Sequence, residues 1–237
     1  MVARLVSPAV LGLETSTVEV EVELRAGIPA FSVVGLPDAA VQEARERVRS
    51  GIVNQAFAVP PRRIVANLAP ADLRKAGPQY DLPIALAILA ASGQVAPEAL
   101  AGTAAVGELA LDGSLRTVPG ALAMAEHAAA RGWRRLVVPA GNAAEAAIVD
   151  GVEVLGAEGL RHACDLLEGR ATATVPRADP RDLLASGAGA DAPDLAEVRG
   201  QAPARRALEI AAAGAHSLLM VGPPGGGKTM LARRLPG

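Results

Sequence analysis

An α/β protein in two parts is predicted by three observations. Residues 17–24 read TVEVEVEL, a strict alternation of apolar and polar side chains that marks a strand with one buried face. Strand-like and helix-like stretches then alternate as far as about Gly169. Near the C-terminus an apolar stretch, a glycine-rich turn and the start of a helix follow one another over residues 217–235.

The elements follow in order. Residues 31–34 form a short apolar strand that ends at Gly35-Leu36-Pro37. Asp38 stands where a helix N-cap belongs, and residues 39–49 have helical spacing. Residues 62–68 are a strand. Residues 81–92, DLPIALAILAAS, read as a helix with Asp81 as N-cap, Pro83 in the first turn and Gly93 past the end. Residues 106–115 suit a hairpin turning at Asp112-Gly113. A helix at 119–131, a strand at 135–138, a short helix at 142–148, a strand at 152–155 and a helix at 158–167 complete the first domain, residues 1–170. Residues 171–193, rich in Ala, Gly, Pro and Asp, read as a linker. The second domain begins at 194, with a helix at 201–213, a strand at 217–221 and a helix from 228 to 235.

Composition narrows the function classes. Of the 237 residues 51% are hydrophobic and 2% aromatic, so the core must be packed from Ala, Val and Leu. A net charge of −2 argues against general polyanion binding by the whole surface. With one cysteine, Cys164, no disulfide can form within the chain, which suits a reducing cytosol. That cysteine and three scattered histidines make no zinc-ligand spacing. Neither a targeting segment nor an apolar run of membrane-spanning length is visible, so a cytoplasmic protein without membrane contact is expected. Only Lys75 and Lys228 are lysines, so lysine chemistry must run through one of them.

The most specific signal is Gly222-Pro223-Pro224-Gly225-Gly226-Gly227-Lys228-Thr229, which fits the phosphate-loop pattern G-x-x-x-x-G-K-[ST]. Glycines let backbone amides turn toward phosphates, and the following helix points its N-terminus at the same anions. Lys228 can reach the β- and γ-phosphates of ATP, and the Thr229 hydroxyl can ligate Mg²⁺. Hydrolysis also needs an acidic strand, sensors and an arginine finger, none of which is found up to Gly237. The chain therefore reads as a fragment or a truncated product, without ATP hydrolysis of its own.

Residues 194–201, DLAEVRGQ, with Ala207-Leu208 and HSLLMVGPPG from His216, resemble the entry to the AAA+ module of magnesium-chelatase-like ATPases. The resemblance puts Val198, Gly200 and Gln201 on the adenine side. Gly35-Leu36-Pro37-Asp38, Glu43-x-x-Glu46-Arg47-Val48, Asn67-Leu68-Ala69-Pro70-Ala71-Asp72, Asp81-Leu82-Pro83-Ile84-Ala85 and Gly107-Glu108-Leu109 with Gly113 resemble the N-terminal domain of the YifB/ComM branch. The resemblance covers essentially the whole chain. It implies a Lon-protease-like, ribosomal S5 domain 2-like domain followed by the truncated start of an AAA+ domain. It also implies a hexameric ring and an ATP-driven motor that migrates DNA branches in recombination and natural transformation. Alternatives are a chelatase-like remodelling subunit acting on a protein or metal-insertion partner, and an inert assembly module.

The Lon likeness raises a Ser–Lys peptidase. Against it, Gly77-Pro78 is followed by Gln79, which cannot attack a carbonyl, and no lysine stands near Leu122. Of the remaining candidates, Arg45, Arg47 and Arg49 with Arg62 and Arg63 could face DNA, although the interleaved Glu43 and Glu46 favour a solvated, ion-paired helix face. Tyr80 and Phe57 are too few for base stacking. His127, His162, Arg233 and Arg234 are expected on helix surfaces, Cys164 in the core and Asp112 in a turn.

Overall fold

The structure, a computed structural model, describes residues 2–11, 14–173, 175 and 193–235. The chain divides into two compact units, Met1–Ala178 and Asp179–Gly237. Most of the expected linker, residues 171–193, lies outside the described residues.

The first unit is an α/β fold around a seven-stranded sheet. Its strands are β1 (Val2–Leu11), β2 (Glu14–Arg25), β3 (Ala30–Val34), β4 (Arg63–Ala69), β5 (Thr103–Ala105), β8 (Arg135–Pro139) and β9 (Glu153–Ala157), with β6 (Glu108–Leu109) and β7 (Leu115–Arg116) forming a separate hairpin. The sheet order is β3-β4-β2-β1-β5-β8-β9. β2 pairs antiparallel with β1 and β4, and the other four ladders are parallel.

The coverage of each strand explains its residues. Helices α1 (Ala39–Asn54), α2 (Asp81–Ala91) and α5 (Leu160–Leu167) pack in one cluster with Val18, Val20, Val22 and Leu24 of β2. The alternating residues Glu19, Glu21 and Glu23 are not buried, which is why β2 alternates. On the other face, α3 (Ala121–Ala130) and α4 (Ala140–Ala146) pack with Ala104, Leu136, Val138 and Val154. β8 is thus apolar on both faces. α2 is buried at every residue, as its all-round apolar sequence requires.

Two strands escaped the sequence reading. β1 has no clean alternation because from Val6 onward both of its faces are packed, with Val6 and Val10 against the cluster of α3 and α4, and Pro8 argues against an interior strand. Pro8 is tolerated because the ladder with β5 is limited to Val6 and Ala104. β5 is only three residues long.

Asp38 is the expected N-cap: its carboxylate accepts from the Val41 amide at 2.9 Å. Asp112 holds its turn by accepting from the Ser114 amide at 2.9 Å and from its hydroxyl. Asp81 does not cap α2. Tyr80 takes that position after the turn Pro78–Tyr80, and Asp81 is the first helical residue, fully buried. Its carboxylate receives Arg47 Nε at 2.6 Å, Arg47 Nη2 at 3.1 Å and the Leu109 amide at 3.2 Å. The hairpin and α1 close over this end of α2, so the carboxylate is partnered by a side chain from α1. Burial pushes Asp81 up to about 6, against the opposing pull of the Arg47 hydrogen bond and charge. Arg47 therefore leaves the solvated face expected for it.

His127 is also misplaced by the sequence reading. It is buried, with Thr15 Oγ1 at 3.0 Å from Nδ1 and Thr17 Oγ1 at 2.9 Å from Nε2, and Trp133 packs edge-on. Burial, then the Arg131 charge, lowers its pKa. Cys164 lies in the core as expected, its thiol raised to about 12 mainly by burial.

The second unit is small. Its buried cluster is Val198, Leu208 and Leu231, with Leu195, Ala204 and Met220 against it. It contains α6 (Ala202–Gly214) and α7 (Lys228–Ala232). The strand expected at 217–221 is absent, and Leu219 and Val221 are 86% and 87% exposed. A strand needs a hydrogen-bonded neighbour, and none of the described residues in this unit forms one.

So few buried side chains offset little ordering entropy. Limited proteolysis of the 237-residue chain is expected to degrade the piece containing Lys228 and to leave a resistant fragment of about the first 170 residues. Survival of a piece containing Lys228 would contradict this.

Candidate functional site

The glycine-rich loop lies in the second unit. Gly225 and Gly227 have φ of +82° and +75°, which side chains with a Cβ rarely adopt, and nothing lies within 4 Å of a Cβ built at Gly225. The Gly226 amide donates to Pro223 O at 3.3 Å, closing the turn, and the Leu231 amide donates to Gly227 O at 2.9 Å at the start of α7. Lys228 Nζ curls back over the loop and donates to Gly222 O and Pro223 O, both at 2.7 Å. Gly222, Pro223, Pro224, Gly225 and Gly226 are exposed, as is Thr229.

The residues singled out upstream come to the same place. Val198 is buried against Leu208 and Leu231, the apolar residue of α7 three positions after Lys228. Gly200 and Gln201 both have positive φ and carry the chain into α6. Gln201 Nε2 donates to Gly226 O at 3.3 Å, so the segment around Gln201 braces the loop directly.

One residue of this unit was missed. Arg234 was expected on a solvated face, but its Nη2 lies 3.1 Å from Glu197 Oε2 and its Nε donates to Asp194 O at 3.1 Å. The pair ties α7 to the 194–198 turn. The i, i+37 separation gives no sequence signal for it.

Lys75, the lysine weighed for a peptidase, has a backbone partner. It is fully buried, with its ammonium donating to Pro70 O, and burial lowers its pKa. Gln79 follows Gly77-Pro78, and Leu122 stands in α3. Purified protein is expected not to cleave unfolded casein; cleavage abolished by changing one serine would contradict that reading. Among the described residues no group of three or more His, Cys, Asp or Glu side chains could hold a metal ion, and no helix is long and apolar enough to cross a membrane.

Comparison with known proteins bears on both units. The family model described as subunit ChlI of Mg-chelatase matches residues 20–142, and the model described as magnesium chelatase, subunit ChlI, matches residues 194–237. The uncharacterised protein YifB of Escherichia coli is 46% identical over 229 residues, covering 97% of this chain and 44% of the relative. An uncharacterised protein of Mycobacterium tuberculosis (strain H37Rv) is 45% identical over 234 residues, 99% of this chain and 46% of the relative. The competence protein ComM of Haemophilus influenzae is 44% identical over 231 residues, 98% of this chain and 45% of the relative. The chain thus spans less than half the length of these relatives. With both units matched and nearly every residue aligned, the chain belongs to the magnesium-chelatase-like YifB/ComM family.

Proposed function

We propose that this chain is the N-terminal part of an ATP-driven motor acting on DNA, working in the cytoplasm as one subunit of a hexameric ring. In this reading the first unit is a Lon/S5-like domain without peptidase chemistry, retained for assembly or substrate contact. The second unit opens an AAA+ domain whose phosphate loop is Gly222–Thr229.

The observation that carries nucleotide binding is the position of Lys228. Its ammonium already sits over the loop, held by two carbonyls, and an arriving triphosphate would exchange those neutral acceptors for anionic oxygens. That exchange is favourable, because hydrogen bonds to charged acceptors are roughly twice as strong as neutral ones. Gly225 and Gly227 supply the backbone freedom that lets amides face the phosphates. Gln201 steadies Gly226, and Val198 and Gly200 shape the approach on the adenine side.

The site also fits Mg²⁺ accompanying the nucleotide. Thr229 is exposed next to Lys228 and offers one hydroxyl oxygen, and Mg²⁺ in nucleotide sites keeps several waters and takes phosphate oxygens for the rest. When bound, the ion neutralises charge on the β- and γ-phosphates.

DNA as the substrate is favoured over a protein or metal-insertion partner by the competence role printed in the name of the Haemophilus relative. The test is strand exchange on branched DNA by the protein at the length of its relatives. ATP-dependent branch movement supports the motor. Its absence, with ATP-dependent remodelling of a protein partner instead, supports the chelatase-like alternative.

A further inference from the structure

The arginines of the first unit fall into distinct groups. Arg4, Arg25, Arg47, Arg116 and Arg170 each pair with a carboxylate. Arg134, Arg135 and Arg161 donate to backbone carbonyls. The side chains of Arg49 and Arg62, like those of Arg63 and Arg74, do neither: among the described residues they have no ion-pair or hydrogen-bond partner, and all four are exposed. Arg49 and Arg62 line one cleft of about 260 Å³, between the end of α1, the start of β3 and the turn before β4.

The rest of the lining of the cleft is apolar. Its walls include Pro29, the half-buried ring of Phe31, Val59, Pro60 and Pro61. It is also pinned in place. Gln94 clamps Ala58 through both its backbone groups, at 2.8 Å each. Arg161 holds Gln55 O and Ala56 O and stacks on Phe57. Phe31 is fixed opposite Ile64 in the parallel β3–β4 ladder. Two uncompensated guanidinium groups beside a rigid apolar wall match one chemistry well: phosphates on the cations and a base against the ring.

We infer that the cleft between Arg49, Arg62 and Phe31 binds the backbone and bases of single-stranded nucleic acid. The inference deepens the DNA reading above and rests on it, but the contact lies in the first unit and needs no nucleotide. A net charge of −2 does not oppose it, because the attraction is local. An acidic peptide could also meet the two cations, and the polyglutamate arm of the test separates it from a nucleic acid.

The test is fluorescence anisotropy of the 237-residue chain with a labelled 20-nucleotide oligothymidylate, without ATP, at 50 and 200 mM salt. Two phosphate contacts predict that wild type loses about sevenfold more affinity over that salt range than the Arg49→Gln/Arg62→Gln variant. Phe31→Leu, which keeps apolar packing, should weaken binding at least about fivefold with the salt slope unchanged. Arg4→Gln/Arg116→Gln removes the same charge elsewhere and should bind as wild type, and circular dichroism checks that every variant is folded. Equal affinity and slope in wild type and the Arg49/Arg62 variant would overturn the inference and leave the DNA motor standing. So would binding of polyglutamate in place of the oligonucleotide, or no binding at 50 mM salt. If the cleft binds the strand but the full-length protein moves no branch, the motor reading fails instead.

Discussion

Asp81→Ala is expected to destabilise the first unit by about 3–5 kcal/mol and to lower its melting temperature by roughly 10 °C. The loss does not come from the attraction between the charges alone. Asp81 is fully buried and the Arg47 side chain is 18% exposed, so removing the carboxylate strands a desolvated guanidinium and frees the Leu109 amide. Replacing both Arg47 and Asp81 with leucine is expected to cost less than the single change, because no buried charge is left unpaired. Thermal melts of the three variants measure the coupling.

The same site gives a pH signature. Asp81 has a folded pKa of about 6, above the ordinary 3.8, so the folded state binds the extra proton in that interval. The contribution of Asp81 to stability is therefore greatest at low pH and declines as pH rises from about 4 to about 6. Asp81→Asn should remove that slope, and denaturant melts across the interval would reveal it. A slope of the opposite sign would mean that the Arg47 pair outweighs burial.

Lys228→Ala is expected to weaken ATP binding by about 10- to 100-fold in the protein at the length of its relatives, the loss of a charge-assisted hydrogen bond to phosphate. Lys75 cannot substitute, since it is buried in the first unit with its ammonium on Pro70 O. Melting temperatures of the variant without nucleotide should match wild type, because among the described residues the Lys228 ammonium bonds to carbonyls of its own loop. Titration with a fluorescent ATP analogue is the measurement. Unchanged affinity would remove the loop from the nucleotide site.

The features legible in the sequence were those with local causes. β2 announced itself because only one of its faces is packed, and α2 because it is apolar all round with Gly93 beyond its end. Asp38 and Asp112 were readable because each bonds to a backbone group two or three residues away. What stayed hidden depends on distant partners. Asp81 resembles a cap in sequence, and only the approach of Arg47, 34 residues earlier, turns it into a buried ion pair. His127 reads as a surface residue until β2 brings Thr15 and Thr17 to its ring. The stretch 217–221 has strand character in its residues but no neighbouring strand to pair with. The candidate site divides in the same way: the motif marks residues 222–229, whereas the Gln201 brace on Gly226 and the Arg234–Glu197 tie exist only in three dimensions.

If this chain opens an ATP-driven DNA motor, Lys228 and branched DNA both govern its ATP turnover. The most direct measurement is ATP turnover by the protein at the length of its relatives, with and without branched DNA, in wild type and Lys228→Ala. Turnover is expected to rise when branched DNA is added and to be lost in Lys228→Ala. Turnover indifferent to DNA, or retained in Lys228→Ala, would contradict the motor reading.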